Sequence, residues 1–93
     1  EISSYNVKDY ENSLYLRFEV KDKQGVLSQI TKNLASNNIS IQRLIQIPDN
    51  KKKTASIVII THKTKQLNSD KSIKFLQKNK NMLKKPVLIR LFN

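Results

Sequence analysis

The stretch Leu14-Tyr15-Leu16-Arg17-Phe18-Glu19-Val20-Lys21-Asp22-Lys23-Gln24-Gly25-Val26-Leu27-Ser28-Gln29-Ile30 changes its period halfway along, and that change decides the fold. Up to Val20 the apolar residues alternate. Leu14, Leu16, Phe18 and Val20 point one way, and Tyr15, Arg17 and Glu19 point the other, as in a strand with one buried face. Beyond Gly25, Val26, Leu27, Ile30, Thr31 and Leu34 fall in one arc of a helix, and Ser28, Gln29, Lys32, Asn33 and Ser36 fall in the opposite arc. Gly25 is the single glycine of the chain, and it stands where strand gives way to helix. Glycine there permits positive φ and lets another backbone or a ligand come close.

Working outward, the pattern predicts a strand over about 14–21 and a helix over about 25–37. Asn37-Asn38 ends the helix, because asparagine tolerates the left-handed cap. A second strand follows over about 39–47. Its alternation breaks near Arg43-Leu44-Ile45, which predicts a bulge or a partner contact. Pro48-Asp49-Asn50 is a turn signal, with Lys51-Lys52-Lys53 at a hairpin tip. The third strand, about 54–61, is apolar on both faces at its centre, so both faces are expected to be covered. A second helix spans about 65–80, with Thr64 as its N-cap. Ile73 and Leu76 mark its buried side, Lys71, Lys74 and Lys78 its outer side, and Phe75 falls beside the lysines. The last strand, about 85–92, includes Pro86 near its start.

The order βαββαβ predicts an α+β, ferredoxin-like sandwich: a four-stranded antiparallel sheet with both helices on one face. Residues 1–13, polar and without period, read as a linker or tail from an upstream domain, and residues 14–93 as the folded domain. The face without helices would carry Tyr15, Arg17 and Glu19 among large apolar residues. That face, or the sheet edge, is expected to be covered by another copy or another domain.

Composition narrows the classes. Ninety-three residues make one domain with one core. There is no cysteine, so disulfides, thiolate metal sites and cysteine nucleophiles are excluded; a cytoplasmic location fits. The longest apolar run, Ile57-Val58-Ile59-Ile60, is far too short for a membrane-spanning helix, and no signal peptide is visible. The chain opens at Glu1 and its single methionine is Met82, which reads as an excised piece of a longer protein or a processed one.

The net charge of +11 is lopsided: residues 1–50 hold six basic and six acidic side chains, residues 51–93 twelve basic and one acidic, Asp70. A basic half-chain raises nucleic acid or an acidic partner. Lysine far exceeds arginine, and asparagine and isoleucine are abundant, so a solvated, compositionally biased surface is the favoured reading. His62 is the lone histidine and lacks a partner at ligand spacing, so it reads as structural. No Ser/His/Asp set, carboxylate pair, phosphate loop or Gly-x-Gly-x-x-Gly run is present, so neither a catalytic site nor a nicotinamide site is expected in this chain.

The βαββαβ order with Asp22-Lys23-Gln24-Gly25-Val26-Leu27 at its first turn resembles an ACT domain. Leu14-Tyr15-Leu16-Arg17-Phe18, Ile39-Ser40-Ile41, Ile45-Gln46, Ile57-Val58-Ile59-Ile60-Thr61-His62 and Pro86-Val87-Leu88-Ile89-Arg90 narrow the resemblance to the C-terminal regulatory domains of bacterial homoserine dehydrogenases. The resemblance covers about residues 14–91. It implies an effector-sensing domain that acts in pairs, as a homodimer or higher homo-oligomer. It also implies a parent enzyme that uses NAD(P) in a separate domain and is under feedback control by threonine. Two residues depart from the pattern: Gln24 stands where the family usually has proline, and Ser69 where an apolar helix residue is expected.

A free amino acid would bring a carboxylate to the amides of Gly25, Val26 and Leu27 at a helix N-terminus, where the dipole helps by about 0.3–1 kcal/mol. Lys23 and Gln24 complete that turn, and Asp22 is the local acceptor for the ammonium. A neighbouring subunit would add Asn37, Asn38 and Ser40 from its helix–strand turn. In the resembled domains the site lies at such an interface, and some members place asparagine at the position of Ser40. Gln46 on the second strand joins the candidate set. The plain alternatives are a Gly25 that serves the turn alone and a dimerisation module without effector. An RNA-binding module shares the element order, but Ala55-Ser56-Ile57-Val58-Ile59-Ile60 offers neither the aromatic nor the glycine such modules use.

Overall fold

A computed structural model describes residues 11–92; the expected tail over 1–13 lies mostly outside them. The elements are β1 (Glu11–Lys21), α1 (Val26–Ser36), β2 (Ile41–Asp49), β3 (Thr54–Thr61), β4 (Thr64–Lys65), α2 (Gln66–Leu76) and β5 (Val87–Leu91). β1 is central. It pairs antiparallel with β3 and with β5, and β3 pairs antiparallel with β2. The main sheet therefore runs β2-β3-β1-β5, the four-stranded antiparallel arrangement expected.

The alternation in β1 does what its pattern dictates. Leu14, Leu16, Phe18 and Val20 are buried, and across the ladder Leu16 faces Ile59, Phe18 faces Ile57 and Val20 faces Ala55. Val26, Ile30 and Leu34 of α1 and Leu76 of α2 close over these residues to make one core. α2 is the weaker helix. Its buried residues besides Leu76 are Ser69 and Ser72, small enough to let it lie close to α1. The Ser72 hydroxyl donates to Asn33 Oδ1, which ties the two helices, and beyond the end of α2 Asn79 Nδ2 donates to Gln29 Oε1 of α1 at 2.9 Å. Ser69, at the position that departs from the apolar pattern, turns its hydroxyl back onto the Gln66 carbonyl at 2.9 Å. Phe75 is 65% exposed, on the side the helical period gave it.

Several boundaries differ from the sequence reading. β1 begins at Glu11, three residues early, because Glu11 and Asn12 pair with Lys65 and Thr64 of the short strand β4. That pairing also corrects the expected N-cap. Thr64 is in a strand, Lys65 occupies the cap position with extended backbone, and its side chain makes no cap hydrogen bond. The Thr64 hydroxyl is buried and has no partner among the described residues. α2 stops at Leu76 rather than near 80, since Lys78 and Asn79 donate to carbonyls only three residues back. The Asn79 side chain then takes the Asn81 N–H at 2.8 Å. The bulge in β2 falls between Ile41 and Arg43, slightly earlier than expected. Thr61 Oγ1 accepts the Leu14 N–H at 3.0 Å where the β3 ladder ends.

Candidate functional site

The Gly25 turn is held from three sides. Lys21 N–H donates to Asn81 O at 2.9 Å, Asp22 N–H to Lys53 O at 2.9 Å, and Val26 N–H to Lys23 O at 3.2 Å. The last bond closes a four-residue turn in which Gly25 has φ 90° and ψ −13°. Those angles match the third position of a type II turn, which strongly favours glycine. A Cβ on Gly25 would meet nothing within 4 Å among the described residues. Backbone conformation, and not crowding within this chain, is what demands glycine.

Gly25 is also the N-cap of α1. Its carbonyl accepts the Gln29 N–H at 3.0 Å, and it has no side chain with which to cap the helix. The N–H groups of Leu27 and Ser28 have no backbone acceptor among the described residues, and no acidic residue stands in the first turn. They are thus available donors at the positive end of a helix. Val26, by contrast, spends its N–H on the turn. Ser28 is the donor that sequence reasoning missed. Counting residues from the N-cap would have found it, since the third helical N–H is also without an intrahelical acceptor. Asp22, Lys23 and Gln24 are all exposed beside these donors, and the Asp22 carboxylate makes no ion pair or hydrogen bond among the described residues.

Asn37, Asn38 and Ser40 lie at the other end of α1. Asn38 has φ 60°, with its N–H on Ala35 O at 3.0 Å; Ile39 N–H reaches Leu34 O at 2.9 Å. This is a Schellman cap, sealed by contact between two buried residues, Ile39 and Leu34. The Asn37 amide is taken up by Asn33 O at 3.0 Å. Asn38 and Ser40 stay exposed and line a hollow with Ala35, Ile39 and Ile41. An eleven-residue helix is about 16 Å long, so within one chain this group and the Gly25 turn cannot touch the same amino acid. Gln46 lies mid-strand on β2, opposite Ile57 and exposed, apart from both.

His62 anchors the end of β3 through its backbone. Its N–H donates to Ser40 O at 2.9 Å, and its carbonyl accepts Thr61 Oγ1 at 2.8 Å. On the sheet face without helices, Arg17 Nε donates to Glu19 Oε2 at 2.6 Å and Ser56 Oγ to Glu19 Oε1 at 2.6 Å. The Ser56 hydroxyl and then the Arg17 guanidinium hold the Glu19 carboxyl below its ordinary value. An Arg-x-Glu pair on one face of a strand signals this network in the sequence. No helix in the described residues is long and apolar enough to cross a membrane.

With this geometry in view, the family model of the ACT domain matches residues 14–79. The chain is 49% identical over 53 residues to homoserine dehydrogenase of Neisseria gonorrhoeae, covering 57% of this chain and 12% of that protein. It is 33% identical over 86 residues to homoserine dehydrogenase of Helicobacter pylori, covering 92% of this chain and 20% of that protein. The crystal structure of a homoserine dehydrogenase from Thiobacillus denitrificans superposes with a TM-score of 0.83 at 28% identity, over 96% of this chain and 19% of that one. The chain therefore spans a fifth or less of the length of these relatives. By the match over most of its length, and by the fold it takes, the chain belongs to the ACT domain family.

Proposed function

We propose that this chain is the amino-acid-sensing regulatory domain of a homoserine dehydrogenase, with threonine as its effector and feedback control of the parent enzyme as its role. The observation that carries the reading is the Gly25 turn, whose glycine opens space beside the unengaged N–H groups of Leu27 and Ser28. These donors suit the effector carboxylate, and the Asp22 carboxylate, unpaired among the described residues, suits its ammonium. Asn38 and Ser40 of a second copy complete the site, since the α1 of one copy is too long for its two ends to share a ligand. Effector binding then favours one arrangement of two domains over another, by its difference in affinity for the two. Catalysis and NAD(P) belong to the remainder of the parent enzyme, which would work in the cytoplasm.

Thermal unfolding of the chain with each of the twenty amino acids tests the reading. A ligand specific to the folded state raises the midpoint, so threonine is expected to raise it selectively. The full-length enzyme is assayed with threonine in parallel. If threonine changes neither the midpoint nor the enzyme's rate, the sensing role is refuted and a dimerisation module remains.

A further inference from the structure

Ser72 ties α2 to Asn33 of α1, and just past the end of α2 Asn79 reaches back to Gln29. Between these two ties the helices part. Phe75 turns outward there, exposed, instead of closing on α1. An open hollow of about 630 Å³ is left, walled by Phe75 and floored by Leu76. Small-molecule sites run from about 300 to 1,000 Å³ and are mostly apolar with a few convergent polar groups. A single exposed phenylalanine means little on its own. The polar groups gathered beside this one give the hollow its chemistry.

What those groups have left over is N–H. The Asn81 N–H donates to Asn79 Oδ1 at 2.8 Å, so Asn79 presents Nδ2 to Gln29 and donates to its Oε1 at 2.9 Å. The Gln29 amide is thereby fixed with its oxygen engaged and its Nε2 hydrogens uncommitted. Asn33 repeats the arrangement: its Oδ1 accepts from the Ser72 hydroxyl, and its Nδ2 hydrogens remain. The Ser36 hydroxyl donates its proton to Asn33 O at 2.9 Å. Gln29, Asn33 and Lys32, all in the lining, thus bring side-chain N–H groups with no acceptor among the described residues. Charge agrees with this inventory. α1 holds no acidic residue. On α2, Lys71 lies about 40° around the helix from Phe75, whereas the single acid, Asp70, lies about 140° away.

We propose that this hollow is a binding site for a small carboxylate with an apolar body. The body lies against Phe75 and Leu76, and the carboxylate takes the Gln29 and Asn33 amides and the Lys32 ammonium. Gln29 to Asn33 spans about 6 Å of α1, the reach of one carboxylate and not of an acidic chain segment. A ligand ammonium would meet donors and cations there, so free amino acids are disfavoured. The lining shares no residue with the candidate effector set, and the site stands apart from the sensing reading.

Phenylpropionate titrated into the isotope-labelled 93-residue chain tests the site by nuclear magnetic resonance. The Gln29 and Asn33 side-chain amide signals should move together and saturate at roughly millimolar probe, as expected of a small ligand in an open groove. Phenylpropanol, the same body without the charge, should bind at least about tenfold more weakly, and phenylpropylamine should not bind. Gln29→Glu keeps an oxygen for Asn79 and sets a negative charge where the donor stood, so it should weaken phenylpropionate at least about tenfold. Phe75→Ala should weaken it roughly fivefold through the lost wall. Lys32→Gln should weaken it about threefold, and Lys63→Gln, the same charge change away from the hollow, should leave it alone. All four side chains are exposed, so circular dichroism and melting should stay unchanged. Unmoved Gln29 and Asn33 signals overturn the proposal. So does an alcohol that binds as tightly as the acid, or a Gln29→Glu variant that binds as well as the parent. Signals that shift with protein concentration alone would give the hollow to a second copy. Shifts confined to the Leu27 and Ser28 amides would give the probe to the Gly25 turn. Either result refutes the site. Threonine is titrated separately, so failure here leaves the sensing reading to its own test.

Discussion

Replacing Gly25 isolates how much of the turn is conformation and how much is space. The residue has φ 90°, and a Cβ there would meet no atom of the described residues within 4 Å. The cost of Gly25→Ala is therefore purely backbone, about 1–2 kcal/mol for an L-residue held in left-handed conformation. For a domain of this size each kcal/mol lowers the melting midpoint by about 4–8 °C. Alanine should thus lower it by roughly 5–15 °C, with the urea m-value unchanged. Gly25→Asn should cost less than half as much, since asparagine visits this region with local hydrogen bonding. Gly25→Val should cost more than alanine. Urea unfolding of the three variants orders them as Asn, Ala, Val. Equal losses above about 3 kcal/mol for asparagine and alanine would mean that something packs against the glycine, and the reasoning fails. No loss for alanine would refute the positive φ itself. Under the sensing reading, Gly25→Asn keeps the fold yet fills the space beside the Leu27 and Ser28 donors, so threonine should no longer raise its midpoint.

The other predictions follow from single contacts. Gln24→Pro should stabilise by about 0.4–1 kcal/mol in urea unfolding, because it occupies the second turn position and its N–H has no acceptor among the described residues. Glu19 is held below its ordinary value of 4.5. Its contribution is therefore complete above about pH 4.5 and is lost as pH falls through the lower folded value. Glu19→Gln should flatten the stability–pH curve in that acid window and leave its neutral limb parallel to the parent. Ser56→Ala, which removes the largest cause of the shift, should flatten it partly. Thr64→Val should be neutral or stabilising by up to about 1 kcal/mol, since it replaces a buried hydroxyl that has no partner among the described residues by a methyl of similar shape; a loss above 1 kcal/mol would show that the hydroxyl has a partner.

What the sequence made legible follows from the range of the forces involved. Alternation in β1 and the arc of α1 depend only on which side of an element is buried, so Leu14 to Val20 and Val26 to Leu34 fell where the pattern put them. The Asn38 cap was legible for the same reason: a left-handed residue is a local need. β4 was not, because nothing in Thr64-Lys65 announces a strand until Glu11-Asn12 lies alongside. Thr64 therefore looked like a cap from sequence and is a strand residue in space. The end of α2 was missed because Lys78 and Lys80 are good helix formers, while the stop comes from the Asn79 side chain bonding onward to Asn81. At the candidate site, the turn and its glycine were legible, but the allocation of amides was not. Val26 N–H belongs to the turn and Ser28 N–H is left over, a matter of hydrogen bonds that no residue identity records.

The separation of the two candidate groups has a thermodynamic consequence. The Gly25 donors and the Asn38–Ser40 hollow sit at opposite ends of one α1, about 16 Å apart. An effector that needs both must bridge two copies, so its affinity includes the free energy of bringing them together. Its apparent affinity then rises with protein concentration, and by reciprocity the effector tightens association by the same factor. A one-copy site would show neither dependence. Titrating threonine at two protein concentrations a hundredfold apart therefore separates the two. If the midpoint moves toward lower threonine at the higher concentration, both ends of α1 are in use. If it stays fixed, while the thermal response is present, the Gly25 turn works alone and the asparagines are only a cap.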